Sequence, residues 1–313
     1  MSSRTIKAYA PASISNLGPG FDVLGLAIEK PGDVAIATRQ KEAGLTFKLR
    51  GTVNNVPDNA QDNVAAYVSS LLIEEVKPLF GIRLTLDKRM PIGSGLGSSA
   101  ASSVAALVAV NALLGSPLRK EELLPFALEG EKKIAGSGHA DNVAPSLLGG
   151  AVVVRSYDPL DVVKIPIRNA IYWVVVHPHL VIPTAEARKL VPQTVPISSA
   201  IRQWGNVGGL VAGLAAGSAA MVGKCVEDVI VEPVRATLIP GFYEVKRAAL
   251  DAGATGCSIS GSGPAMFAVA KSPSSARAIG AAMKAAFQRA AGISSDVYIS
   301  RVNMKGAKVL KEQ

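Results

Sequence analysis

The sequence predicts an α+β protein in two lobes, on three observations. Strand-like and helix-like stretches are interleaved in both halves, the pattern restarts after about residue 165, and no fixed-period repeat or low-complexity segment interrupts it. The expected division is 1–165 and 166–313. With 313 residues, 49% of them hydrophobic, the chain is long enough for two ordinary domains, each with its own core.

The elements follow from local pattern. Residues 6–10 and 34–38 alternate in the manner of strands, and NLGPGF at 16–21 between them forms a turn. A helix is predicted from Asn63, with Val64, Val68, Leu71, Leu72 and Val76 at mostly three- and four-residue steps. Gly81 is placed at its left-handed cap. A strand over 82–86 leads into PIGSGLGSSAASS at 91–103, and the helix over 98–114 is so apolar on most sides that it should be buried. Helices over 121–133 and 141–148, the latter ending at Gly149-Gly150, precede a strand over 151–155. The second half reads as a strand over 172–177, helices over 184–190, 197–221 and 242–252, and strands over 255–260 and 266–270. A helix over 275–290 and a strand over 296–301 close it.

Composition excludes several classes. Apolar runs such as 151–154 and 174–176 are far too short to cross a bilayer, and residues 1–7 lack a signal-like apolar stretch, so a soluble cytoplasmic protein is expected. Cys225 and Cys257 have neither C-x-x-C spacing nor further cysteines around them, which indicates neither disulfides nor zinc. The net charge of +9 invites nucleic acid, but the cations are scattered, with Arg119-Lys120 and Lys132-Lys133 beside carboxylates. An anionic small-molecule substrate fits better than nucleic acid or a membrane. His177-Pro178-His179 ends a strand without a third ligand and reads as turn residues, not a metal site.

The glycine-rich stretch carries the chemistry. Gly93, Gly95 and Gly97 stand two apart just before a helix, where bare N–H groups and the helix dipole make an anion site that a Cβ would obstruct. A tight strand-to-helix connection is the alternative, but it seldom needs three glycines and five serines. No Lys follows the last glycine, so this is not a P-loop, and G-x-G-x-G leading to helix after helix is not a dinucleotide fingerprint. Two further G-S-G triplets occur, 136–138 and 261–263; the second lies between two strands, where close approach to a ligand or to the other lobe explains the glycines. On the helix over 121–133, Leu124, Ala127, Leu128 and Glu131 share one face while Glu122 and Glu129 lie opposite. An inward Glu131 needs a cation or a set of donors: Mg2+ shared with phosphates is suggested, and a Lys or Arg in an internal ion pair is the alternative.

Three segments together, NLGPGFDVLG (16–25), PIGSGLGSSAA (91–101) and SISGSGP (258–264), resemble the GHMP superfamily of small-molecule kinases, in order and over essentially the whole chain. Within it, NLGPGFDVLG, GSGHADNVAP (136–145) and EPVRATLIPGF (232–242) are similar to the homoserine kinase family. The resemblance implies an N-terminal ATP-binding lobe like domain 2 of ribosomal protein S5, a ferredoxin-like C-terminal lobe, and ATP in the cleft between them. It implies phosphorylation of the L-homoserine side-chain hydroxyl, in threonine biosynthesis. The phosphate cradle would be Pro91, Ile92, Gly93, Ser94, Gly95, Leu96, Gly97, Ser98 and Ser99, and the Mg2+ ligands Ser98 and Glu131. Asn63 matches a residue near the base, and is equally placed to be a helix N-cap. A homodimer is carried as the expectation for assembly.

For the amino-acid substrate the resemblance gives Asn16, Asp22, His139, Asn142, Thr184, Arg188, Arg235 and Gly261. Arg188 and Arg235 suit an α-carboxylate and Asp22 an α-ammonium, with Thr184 one helical turn before Arg188. Arg188 could equally be a surface residue, His139 a helix cap, and Asn16 and Asp22 mere holders of their turn. In mevalonate kinases and galactokinases of the superfamily an Asp lies seven residues before the closing glycine pair, whereas that count back from Gly149 reaches Asn142, with Asp141 about 100 degrees round the helix. An amide is no general base. Transfer by positioning and charge neutralisation is therefore expected, with Asn142 orienting the hydroxyl. The alternatives are a kinase of the superfamily acting on mevalonate, shikimate or a sugar, and a non-catalytic RNA-binding module built on the S5-like lobe.

Overall fold

The computed structural model describes residues 4–51, 53 and 56–311; Met1 to Ser3 of the leading segment lie outside the described residues. The first half opens with β1 (Thr5–Ser15), β2 (Leu24–Gln40) and β3 (Leu45–Gly51), then α1 (Val64–Val76) and β4 (Gly81–Lys88). There follow α2 (Ser98–Leu113), a 3-10 turn (Glu121–Leu123), α3 (Leu124–Ala135), α4 (Ala140–Leu148), β5 (Ala151–Tyr157) and β6 (Leu160–Ile165). The second half holds β7 (Tyr172–Pro178), α5 (Thr184–Lys189), α6 (Ile197–Ala216), α7 (Ala219–Cys225) and α8 (Glu232–Arg235). A 3-10 turn (Ala236–Leu238), α9 (Phe242–Asp251), β8 (Gly256–Ile259), β9 (Met266–Ala270), α10 (Pro273–Ala291), β10 (Ser295–Ser300) and β11 (Lys308–Val309) complete it. The result is α+β.

One sheet runs β11-β1-β2-β4-β3, with β5 and β6 continuing from the first part of β2, and the other runs β10-β7-β9-β8. β3 and β4 are parallel and joined through α1, while β1 and β2 pair antiparallel around a register shift between Pro11 and Ser13. The final strand returns to the first sheet: β11 pairs with β1.

Helix α2 runs buried against β1 and β2, and its Ala, Ser and Val side chains are small enough to let the backbone sit close. The second sheet is covered on both faces. Alternation sends Trp173, Val175 and Phe267 into the core shared with the first lobe, and Val174, Val176 and Met266 into a second core with α9 and α10. The lobes are therefore packed through a common core, which fixes the cleft between them.

Two expectations need correction. Helix α1 ends at Lys77, itself in the left-handed region at φ 51°, and Gly81 instead opens β4. The stretch over 197–221 is two helices, because Gly217 at φ 68° closes α6 and Ser218 caps α7 through Met221 N.

Candidate functional site

Strand β4 delivers the chain to the glycine loop, and the loop turns it into α2. Gly93, Gly95 and Gly97 all lie in the left-handed region, at φ 57°, 78° and 67°. A Cβ on Gly95 would stand 2.4 Å from Ser260 O, and one on Gly97 2.2 Å from Ser13 Oγ. Four successive loop carbonyls are already bonded: Gly93 O to Ile182 N (3.2 Å), Ser94 O to Ala265 N (3.1 Å), Gly95 O to Ser260 Oγ (2.7 Å) and Leu96 O to Ser13 N (3.1 Å). The amides of Gly93 to Gly97 find no acceptor among the described residues. The loop thus turns its acceptors into the protein and keeps its donors, at the start of a 16-residue helix without a side-chain cap. Three of those four anchors come from the second lobe, and two belong to the segment that carries the SISGSGP motif.

Below the loop lies a cluster that sequence reasoning missed. Lys88, 3% exposed, pairs with Asp33 and also donates to Ser98 O (3.0 Å), Ser98 Oγ (2.7 Å) and Ser102 Oγ (2.9 Å). Asp33 accepts from Arg89 N (2.9 Å), Met90 N (3.0 Å) and Ser102 Oγ (2.7 Å), so every charge here is matched. Burial pulls the Lys88 pKa down, against the opposing pull of Asp33. The signal was present: Ile82, Leu84 and Leu86 mark the buried face of β4, and Lys88 is next in that register.

Glu131 does point inward. It is 5% exposed, its Oε1 has no partner among the described residues, and its Oε2 lies 3.7 Å from His139 Nδ1. No Lys or Arg pairs with it among the described residues, so the internal ion pair is not found. Burial works against a His139 cation, but the nearby carboxylates of Glu131, Asp141 and Asp22 outweigh it and raise the His139 pKa. An unpaired carboxylate oxygen in a cavity that Ser98 also lines fits a hard cation taking few protein oxygens and most of its ligands from phosphate and water. Ser98 Oγ accepts from Lys88 and donates to Met90 O at 3.3 Å, which leaves one lone pair for such an ion. No group of three or more His, Cys, Asp or Glu suited to a metal occurs among the described residues.

The other end of the cavity is made of side chains. Asp22, at φ 58°, pairs with Arg188 through two bonds of 3.2 and 2.7 Å, and Arg188 also reaches His139 Nε2 at 3.4 Å. Arg235 is 3% exposed and donates to Ala187 O (3.2 Å) and Gly261 O (3.1 Å). Asn16 bridges Asp22 N (3.1 Å) and Gly261 O (2.9 Å). Phe21, also missed from sequence, lies under both guanidinium groups, at 5.5 Å from Arg188 and 4.9 Å from Arg235. Thr184 Oγ1 meets Ser262 Oγ at 3.4 Å.

Helix α4 brings Asn142 to this end. Pro145 has no N–H for the carbonyl of Asp141, and that carbonyl presses on β2 where a Cβ at Gly25 would come within 1.8 Å of it. The first turn of α4 is thereby seated on the sheet. Asn142 accepts from Ser13 Oγ at 2.9 Å and donates to Ser15 Oγ at 3.0 Å. Asp141 is 1% exposed with Oδ1 unpaired, and burial pushes its carboxyl up to about 7.

A single cavity of about 420 Å³ joins the two ends, lined by all the expected site residues except Pro91 and Leu96. Leu96 is a core side chain, fully buried, and Pro91 uses its carbonyl to accept from Ser94 Oγ at 2.9 Å. Asn63 lines the cavity and is also the N-cap of α1, bonded to Ala65 N at 3.0 Å and Pro57 O at 2.7 Å. His177 and His179 lie outside it; His179 binds Asp296 (3.0 Å) and Ser294 (2.9 Å), and His177 is buried with neither nitrogen bonded. Among the described residues no helix is long and apolar enough to cross a membrane.

Comparison with known proteins agrees with the motifs. The GHMP kinases N terminal domain matches residues 63–150 and the GHMP kinases C terminal domain residues 210–289. A curated homoserine kinase of Chlorobium phaeobacteroides (strain BS1) is 45% identical over 98% of this chain and 100% of its own length. One of Pyrococcus furiosus is 42% identical over 97% and 99%. The crystal structure of homoserine kinase from Cytophaga hutchinsonii superposes with a TM-score of 0.93 at 48% identity, covering 99% of this chain and 98% of that one. A mevalonate kinase of L. major in complex with R-mevalonate shares the fold, at TM-score 0.72 and 18% identity. With full-length relatives at this level of identity and both domain models matched, the chain belongs to the homoserine kinase family of the GHMP kinases.

Proposed function

We infer that this chain transfers the γ-phosphoryl group of ATP to the side-chain hydroxyl of L-homoserine, giving O-phospho-L-homoserine and ADP. The observation that carries the acceptor is the Asp22–Arg188 pair beside Arg235, in the same cavity as the amide-lined loop. An α-amino acid presents one ammonium and one carboxylate at a single carbon, and these groups answer both signs of charge. Mevalonate, shikimate and sugars have no ammonium for Asp22, and an RNA-binding role has no use for a cavity of this kind.

In this reading the amides of Gly93 to Gly97 and the start of α2 hold the nucleotide phosphates, and Lys88, neutralised by Asp33, braces the start of α2 through Ser98 and Ser102. Glu131 and Ser98 would hold Mg2+, which when bound neutralises charge on the phosphates. Arg188 and Arg235 take the α-carboxylate, Asp22 takes the α-ammonium, and Asn16 and Gly261 fix the walls. Asn142 orients the acceptor hydroxyl. No side chain takes the proton early; it leaves late, to phosphate or water, and the rate comes from positioning and electrostatics.

The test is ADP release by the purified chain with ATP and Mg2+ and, in turn, L-homoserine, L-threonine and mevalonate. L-homoserine should stimulate turnover far above the other two. Failure of every alcohol to stimulate it would overturn the assignment.

A further inference from the structure

Ser13 and Ser15 stand two apart on β1, so the strand points both hydroxyls the same way. They are 0% and 2% exposed. Between them lies the Asn142 amide, which accepts from Ser13 Oγ at 2.9 Å and donates from Nδ2 to Ser15 Oγ at 3.0 Å. One bond at each end of the amide stops rotation about a side-chain torsion that is otherwise broad. Two donors and two acceptor lone pairs belong to a side-chain amide. One N–H and one lone pair therefore stay unspent, on a residue that lines the cavity. Ser15 lines it too, and its own proton has no acceptor among the described residues.

The phosphate loop rests on the same group. A Cβ on Gly97 would stand 2.2 Å from Ser13 Oγ and 2.8 Å from Asn142 Oδ1, so the last loop glycine closes over the serine and the amide. Ser13 N also bonds the carbonyl of Leu96 at 3.1 Å. The Asn142 amide and the phosphate loop thus share one support, strand β1.

We propose that Ser13 and Ser15 are positioning residues, which clamp the Asn142 amide against the phosphate loop so that its unspent groups meet the acceptor hydroxyl. Without a general base, the orientation of that hydroxyl is what the side chains supply, and a freely turning amide would give it up. The proposal rests on Asn142 contacting the acceptor, and a purely structural role for the serines would show itself in stability and nucleotide binding instead.

Ser13→Ala and Ser15→Ala are made singly and together, in the native background and with Asn142→Ala, and the full chain is followed by steady-state kinetics, melting temperature and selective 15N-asparagine spectra. Each serine substitution should lower kcat roughly tenfold, with the KM for ATP within about twofold and the melting temperature within about 2 °C. Added to Asn142→Ala, the same substitutions should cost nothing further. The Asn142 side-chain amide signals, assigned by their absence from Asn142→Ala, should shift and broaden in Ser15→Ala. Loss in Asn142→Ala with none in the serine variants, or an equal serine loss in both backgrounds, overturns the clamp alone. Full activity of Asn142→Ala overturns the role of Asn142 and the clamp with it. Unmoved amide signals contradict the clamp whatever the kinetics.

Discussion

The two ends of the cavity are built from different materials. At the end we propose for the nucleotide the free groups among the described residues are backbone amides, turned outward because four neighbouring carbonyls are held by Ile182, Ala265, Ser260 and Ser13. At the end we propose for the acceptor the groups are side chains with partners of their own: Asp22 with Arg188, Asn142 with two serines, and Arg235 with backbone carbonyls. Backbone recognises phosphate whatever it is attached to, whereas a set of opposed charges recognises one arrangement of charge. On the proposed reading the first end takes the phosphoryl donor and the second the acceptor.

That contrast can be broken most severely at Gly95. Gly95→Ala puts a Cβ 2.4 Å from Ser260 O on a residue at φ 78°, so the loop must move. It should lower kcat/KM for ATP by roughly two to three orders of magnitude, since strain of about 1–3 kcal/mol adds to lost phosphate contacts. An unchanged kcat/KM for ATP, measured at saturating acceptor, would show that the amides are not the phosphate cradle. Arg188→Gln comes next, and should raise the KM for L-homoserine roughly 100-fold while leaving that for ATP unchanged. Equal effects on both substrates would mean that the ends are not separate.

The smallest effect concerns stability away from the site. Burial pulls His177 down to about 4, against its ordinary 6.5, with Asp296 pulling the other way. Below pH 6.5 the unfolded chain takes up a proton that the folded chain refuses, so stability falls as the pH drops from about 6.5 to 4 and is unaffected above that window. His177→Leu should therefore lose less melting temperature than the native chain between pH 7 and pH 5. Parallel losses in the two proteins would contradict the assignment.

How much could be read in advance follows from the same division. The glycine loop was legible because left-handed φ values leave their mark on residue type, and the inward Glu131 because it interrupts an apolar helical face. Most elements were legible from period, although α1 closes on Lys77, where only the structure reveals a left-handed non-glycine residue. The motif resemblance supplied the residues proposed for the acceptor, but not their mutual contacts: the pairing of Asp22 and Arg188, across 166 positions of sequence, has no local signature. Neither has the clamp on Asn142, 127 and 129 positions from its serines. Lys88 was legible from the buried register of β4 and was passed over, whereas Phe21 is an ordinary turn residue until the second lobe closes around it.

Asp141 lines the same cavity and is the side chain to test as a base for the hydroxyl proton. It is buried beside Asn142, has an unpaired oxygen, and its carboxyl is pushed up to about 7, where a general base would sit. The direct measurement is kcat for Asp141→Asn with L-homoserine from pH 6 to pH 9. Transfer by positioning predicts a loss within about tenfold and a pH profile of unchanged shape. A loss of several orders of magnitude, with the limb near pH 7 abolished, would contradict it and make Asp141 the base.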